Sequence, residues 1–221
     1  MSISKIKTVG RQPLNVMVYE NIKNAILEGD LEPGTRLTET KVGEQMNVST
    51  TPVREAFRRL ASEGLLKIVP WRGAIVQEFS DRELIEVYKC REVLEVLAIK
   101  SAMENIDDSG IEKLERLVEE SKLTENLSEH VEINSAIHNT ILEYARNEML
   151  SNLLGQLKDV IYHNRNMSSY NEKRRNEIYD EHIQIVNAIK SGDKNQAQVA
   201  MELHVNNGYE YIKERLKKRD S

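Results

Sequence analysis

Three histidines and an asparagine stand where a metal ion could be held. His138 recurs with Val131, Asn134, Ile141 and Ala145 at helical spacing. His182 recurs with Ile178, Ile185 and Ile189, and His204 with Ala197, Met201, Gly208 and Tyr211. The stripes are largely apolar, so each imidazole faces a core, where both ring nitrogens need partners. His182 and His204 are 22 residues apart, and their midpoint is the Gly192-Asp193 turn. In an antiparallel hairpin, residues equidistant from the turn lie at one height, here ~16 Å from it at about 1.5 Å per residue. Asn134 and His138, four apart, share a face. A third helix bringing that pair to the same level makes a cage of three imidazoles and one carbonyl oxygen. Such a cage suits Zn, Ni or another late first-row divalent ion. A single histidine of this kind is more often a satisfied core residue; three, two of them at matched height, favour the metal. His130 and His163 fall off the pattern and read as surface or hydrogen-bonding residues.

A second constellation is Val48-Ser49-Thr50-Thr51-Pro52-Val53-Arg54-Glu55-Ala56-Phe57-Arg58-Arg59-Leu60. Hydroxyl residues before a proline suit a helix N-terminus. At helical spacing Val53, Ala56, Phe57 and Leu60 fall on one side, and Thr51, Arg54, Glu55 and Arg58 on the other. Hydroxyls and arginines on a helix with an apolar back suit insertion into a DNA major groove. An ordinary surface helix would show the same charges, so the surroundings decide. Arg59 points sideways and reads as a solvated or phosphate-facing charge. Arg36 and Lys41 are phosphate candidates.

The elements that would position these residues fall into two groups. A helix over 14–27 and a short helix from Thr38 to Met46 precede the basic helix, which ends at Glu63-Gly64. Two strands, Leu65 to Val69 and Ala74 to Phe79, flank Pro70-Trp71-Arg72-Gly73. Three helices and a hairpin make a winged helix-turn-helix over residues 1–79, with a disordered basic tail over the first 12 or so. Past Ser80 strand signals stop. Helices are expected at roughly 81–104, 109–123, 128–145, 148–167, 172–190 and 193–217, an antiparallel bundle spanning residues 80–221. Ser80-Asp81-Arg82-Glu83 matches a capping box. The fold class is therefore mainly α.

Charge follows the same division. Residues 1–79 hold 11 Lys/Arg against 9 Asp/Glu, and the remainder 20 against 27, so the halves suit different partners. Cys90 is the only cysteine, which excludes an intrachain disulfide. No signal peptide and no apolar run near the ~20 residues of a membrane span is present, so the cytoplasm is the expected compartment.

On these residues the chain resembles the GntR family of bacterial transcription regulators, more narrowly its FadR subfamily with an FCD-type C-terminal domain. The resemblance rests on Gly29, Leu31-Glu32-Pro33-Gly34-Thr35-Arg36-Leu37, Val48 to Leu60, Glu63-Gly64-Leu65 and the wing Arg72-Gly73, and extends over about 14–216. Six C-terminal helices would place it nearer the vanillate-regulator branch. The resemblance implies operator contact by Ser49, Thr50, Thr51, Arg54, Arg58, Arg72 and Gly73. The family commonly has Arg where Thr50 stands, which shifts the contacts onto Arg54 and Arg58. It further implies a metal on Asn134, His138, His182 and His204, with Asn134 where Asp is usual. Arg91 shares an apolar stripe with Glu95, as an i,i+4 ion pair would. The resemblance implies instead that Arg91 reaches a small carboxylate effector, which its fork suits.

The expected protein is a homodimeric regulator of double-stranded operator DNA, commonly a repressor, not an enzyme and not membrane-bound. Two rivals are a metal sensor in which the ion is the signal, and a metal-dependent hydrolase. No general base stands beside the cage, and hydrolysis leaves the winged helix unexplained.

Overall fold

The computed structural model describes residues 13–28 and 30–219; the expected basic tail and the helix stop at Gly29 lie outside them. The chain divides into two compact units, the first ending at Glu78 and the second beginning at Phe79.

In the first unit α1 (Leu14–Glu28) buries Val18, Tyr19, Ile22 and Ile26 at helical spacing. Helix α2 (Glu39–Met46) begins at Thr38, whose hydroxyl accepts the Lys41 N–H at 3.3 Å, and ends at left-handed Asn47. The turn into α3 (Thr50–Ser62) is tight. A Cβ on Gly43 would stand 2.8 Å from the Val48 carbonyl oxygen, so glycine is needed there. Helix α3 buries Val53, Ala56, Phe57 and Leu60, the back face expected of it.

A buried polar network fixes α3 to α1. The Tyr19 hydroxyl donates to Glu63 at 2.7 Å, and Lys23 Nζ donates to Tyr19 Oη at 2.9 Å and to Glu63 at 3.1 Å. Arg59 Nε donates to Glu63 at 3.3 Å while its guanidinium lies 3.8 Å from the Tyr19 ring centre. Arg59 remains exposed, as the sequence suggested for a solvated charge, while its guanidinium also packs on Tyr19. Glu63 is its i,i+4 partner, and Tyr19 of α1 reaches both across a tertiary contact.

Strands β2 (Leu66–Val69) and β3 (Gly73–Val76) form the expected hairpin, paired from Leu66↔Val76 to Val69↔Gly73. An unexpected strand β1 (Arg36–Leu37) pairs with the other edge of β3, giving the antiparallel order β1-β3-β2. Two residues carry no period that a sequence could show. The second hairpin strand stops at Val76 rather than Phe79, which opens the second unit.

The second unit is helical: α4 (Asp81–Ala102), α5 (Asp108–Leu123), α6 (Leu127–Ala145), α7 (Glu148–Gln156), α8 (Lys158–Ser169), α9 (Glu172–Ser191) and α10 (Lys194–Arg219). The Ser80–Glu83 capping box forms, with bonds of 2.9 and 3.2 Å. Asp107, Asn126, Asn147 and Asn171 cap α5, α6, α7 and α9 through their side chains. Where one helix was expected over 148–167, two stand, so the count is seven among the described residues rather than six. The divide is Leu157 alone, which keeps right-handed helical dihedrals and donates back to Leu154 at 3.1 Å. Gly155, a poor helix former, precedes it. Left-handed Gly192 turns α9 into α10. The core gathers Ile99, Leu114, Ile137, Ile141, Ile185 and Met201. Among the described residues no helix is long and apolar enough to cross a membrane.

Candidate functional site

Three helices of the second unit bring the expected histidines together. His138 comes from α6, His182 from α9 and His204 from α10, all buried. One ring nitrogen from each lies within 4.8 Å of the others. His138 Nε2 and His204 Nε2 are 3.1 Å apart, close to the ~3.3 Å edge of a tetrahedral zinc site with bonds of about 2.0–2.1 Å.

The outer nitrogens explain why the inner ones face each other. His138 Nδ1 lies 3.0 Å from Glu95 Oε2, and His204 Nδ1 lies 2.7 Å from Glu181 Oε2. Burial would raise both carboxyls, but His138 and Arg91 draw Glu95 below the ordinary range. His204 and Arg174 draw Glu181 down to about 2. An ionised carboxylate only accepts, so Nδ1 carries the proton in each ring and each Nε2 presents a lone pair. Two lone pairs at 3.1 Å repel unless a cation lies between them. Burial also lowers all three imidazoles, His138 to about 3, keeping the neutral form that ligates metal. Two further buried polar atoms, His182 Nε2 and Asn134 Oδ1, have no hydrogen-bond partner among the described residues. These donors fit a late first-row divalent ion. Carboxylates holding the outer nitrogens of metal-binding histidines are the usual second layer of such sites.

Asn134 and His182 also line a cavity of about 30 Å³, together with His130, Arg165, Arg175 and Tyr179 among others. Arg91, the expected effector contact, is not on its wall. Its Nε donates to Glu95 at 3.2 Å, and that pair is buried behind His138. Arg165 of α8 is there instead. Its Nη1 donates to the Ser135 hydroxyl at 2.9 Å, while its Nε is buried with no hydrogen-bond partner among the described residues. Burial and the nearby charge of Arg91 lower its pKa to about 9, so it stays cationic at neutral pH. Sequence reasoning missed Arg165 because His163-Asn164-Arg165-Asn166 is polar all round and reads as solvated. His130, expected at the surface or hydrogen-bonded, is half-buried on the same wall and hydrogen-bonds to the Thr124 backbone.

In the first unit Ser49, Thr50, Thr51, Arg54 and Arg58 are all exposed at the start and on the outer face of α3. The Ser49 side chain makes no capping bond, so its hydroxyl is not consumed by the helix. Arg54 is held by Glu39 of α2, with Nη2 2.7 Å from Oε2. Surface pairs of this kind are weak and can exchange for another acceptor. Lys41 and Arg72 are exposed, and Arg36 Nε donates to the Arg72 carbonyl at 3.2 Å, bracing the wing. Gly73 has its own structural reason: a Cβ there would come within 2.2 Å of the Leu37 carbonyl oxygen, so β1 and β3 could not pair. At the wing tip Trp71 is 104% exposed and has φ 62°, a conformation that costs a bulky residue energy. Its side chain had not been singled out by sequence.

A recognition helix in a winged helix-turn-helix, joined to a separate helical unit, defines a DNA-binding transcription regulator rather than an enzyme. Residues 14–76 match the model of bacterial regulatory proteins of the gntR family, and residues 86–207 that of the FCD domain. The chain belongs to the gntR family, in its FCD-bearing, FadR-like subfamily. It is 31% identical over 205 residues to the HTH-type transcriptional regulator YdhC of Bacillus subtilis, covering 91% of this chain and 92% of that one. It is 27% identical over 197 residues to the HTH-type transcriptional repressor RspR of Escherichia coli, covering 88% and 86%. The solved structure of E. coli McbR/YncC shares the fold, with a TM-score of 0.64 at 23% identity over 93% of this chain and 100% of that one.

Proposed function

We propose that this regulator is a homodimeric repressor whose helical unit holds one divalent metal, zinc or a close relative, and responds to a small carboxylate. The observation that carries this is the pair of inward Nε2 lone pairs, fixed by Glu95 and Glu181, beside the buried polar atoms of His182 and Asn134 that lack partners among the described residues. His138, His182, His204 and Asn134 would hold the ion. Bound there, the metal supplies positive charge that an anion can use. Arg165 faces the same cavity and would orient the acid group, the role first expected of Arg91; Arg91 instead holds Glu95 in place.

The exposed face of α3 would read the operator through Thr50, Thr51, Arg54 and Arg58, with Ser49, Arg36, Lys41 and Arg72 on phosphates. Gly73 contributes by keeping the wing's shape. The name of RspR supports repression. Exposed Val93 and Leu97 on α4, and Val199 and Leu203 on α10, support burial against a second copy. A two-fold dimer would then read a short palindrome.

The test is elemental analysis of untagged protein after zinc loading and dialysis, paired with light scattering and operator titration. Close to one ion per chain, a dimer mass, and operator affinity that changes when the ion is chelated support the reading. Absence of metal after loading overturns the metal-holding part, and a monomer bound to operator overturns the dimer.

A further inference from the structure

The cavity beside the histidines is more basic than a single carboxylate requires. Arg165 and Arg175 both line it, with His130, and among the described residues no Asp or Glu stands on its wall. The buried arginines of this unit, Arg91 and Arg174, have carboxylates: Arg91 has Glu95, and Arg174 has Glu181 at 2.7 Å and 3.1 Å. Arg165 feels the charge of Glu95 but hydrogen-bonds, among the described residues, to a serine hydroxyl, and its Nε has no partner there. Arg175 has only the Ser169 backbone carbonyl among the described residues. The contrast at adjacent positions is informative. Arg174 turns to Glu177 and Glu181, whereas Arg175, one residue along the same first turn of α9, turns to the cavity. Its charge is felt there, since burial first and Arg175 second lower the pKa of His130. Arginine forks without carboxylate partners on one wall are poised for acidic groups from elsewhere. Arg165 belongs to α8 and Arg175 to α9, so the wall carries two guanidinium groups from different helices.

We propose that the effector is a compact dianion, one acid group directed to Arg165 beside the histidines and a second held by Arg175. This rests on the reading of the cavity as the effector site. The shared chemistry is two anionic groups on a short spacer, supplied by a short dicarboxylic acid or by a phosphorylated acid. Arg175 is the residue that would separate dianions from monoanions, because its partner group is absent from the latter. One charged hydrogen-bonding group lost to a ligand corresponds to roughly 10- to 100-fold in affinity.

The test is calorimetric titration of full-length, zinc-loaded protein. Malonate, succinate and phosphoglycolate are compared with propionate and butyrate, on parent, Arg175→Gln and Arg175→Lys, with melting curves confirming that each variant folds. In the parent at least one dianion should bind roughly 10-fold or more tighter than the monoanions. Whether malonate and succinate or phosphoglycolate leads identifies the second group. Arg175→Gln should abolish the preference, weakening dianions by roughly 10-fold or more beyond any loss for monoanions, and Arg175→Lys should restore part of it. Equal binding of dianions and monoanions by the parent overturns the dianion while sparing the effector site. An Arg175→Gln variant that folds and keeps the preference also overturns it. If none of the anions binds, the effector site itself falls and the dianion with it.

Discussion

Replacing Glu181 by Gln tests the histidine cluster through a residue that touches no metal. In the protein both carboxylate oxygens of Glu181 are saturated with donors. Oε2 takes His204 Nδ1 at 2.7 Å and Arg174 Nη2 at 3.1 Å; Oε1 takes Arg174 Nη1 at 2.7 Å and Asn207 Nδ2 at 2.8 Å. A glutamine offers one oxygen and one amide nitrogen, so either orientation loses two bonds and sets a donor against donors. With the oxygen toward Arg174 and Asn207, the amide faces His204, whose ring must then take the other tautomer. That puts a proton on Nε2, where the lone pair for metal belongs. With the oxygen toward His204, the tautomer survives but Arg174 loses its bidentate partner in a buried site. Two hydrogen bonds to charged groups, at about 1.5–3 kcal/mol each, place the destabilisation at about 3–6 kcal/mol. Loss of the outer carboxylate should weaken metal binding about 10- to 100-fold. The assays are urea unfolding with a chelator present, and zinc competition against a chromophoric chelator. Glu177→Gln, on the same arginine but farther from the histidines, should leave zinc affinity unchanged. A folded Glu181→Gln protein that binds zinc within threefold of the parent would refute the tethered-tautomer argument.

Other perturbations probe each unit separately. Arg54→Ala should weaken operator binding roughly 5- to 150-fold while affecting random duplex less; equal binding of operator by parent and variant removes Arg54 from base reading. Trp71 is the only tryptophan of the chain, so its emission reports the wing directly. Saturating operator should quench and blue-shift it, and an unchanged spectrum would take Trp71 out of the interface. The pH response of Glu181 has a definite sign. Its folded value, about 2, lies below the unfolded one near 4.5, so its stabilisation is complete above pH 4.5 and is lost as the pH falls toward 2. In chelated protein the stability gap between parent and Glu181→Gln should therefore be flat from pH 7 to 5. Below pH 4.5 it should close by about 1.4 kcal/mol per unit. A gap that persists to pH 3 assigns the effect to packing rather than charge.

What could be read from the sequence was what local pattern controls. The apolar backs of α3, α6, α9 and α10 placed Phe57, His138, His182 and His204 inward, because a helix periodicity states which side is buried. The Gly192 turn matched the heights of His182 and His204. What escaped depended on how helices are rotated against one another. Glu181 sits beside His182 in sequence, yet it serves His204 on the next helix, and periodicity does not fix such a cross-helix reach. Glu95 was visible only as the partner of Arg91, though its other oxygen holds His138. Arg165 was hidden by its neighbours: a polar run reads as solvated, and α8 is enclosed by packing that overrides the pattern. Strand β1 and the divide at Leu157 each involve one or two residues, below the length at which a pattern exists.

Asn134 gives these pieces a common sense of charge. Ionised Glu95 is balanced by Arg91, ionised Glu181 shares Arg174 with the exposed Glu177, and the three imidazoles are neutral. Aspartate at 134 would add one negative charge to the inner ligands, but asparagine adds none. On the proposed reading a divalent ion would therefore keep its full charge, with Arg165 and Arg175 adding positive charge on the same cavity wall. A bound cation dominates the local field and sets which ligands and protonation states are favoured nearby. Substitution of Asn134 by Asp should thus act in opposite directions on two measurements: tighter zinc, and weaker affinity for an anion in the cavity. A structural role for Asn134 alone would move neither affinity in this paired way. The paired readout therefore separates a site tuned toward anions from one that has merely lost a ligand.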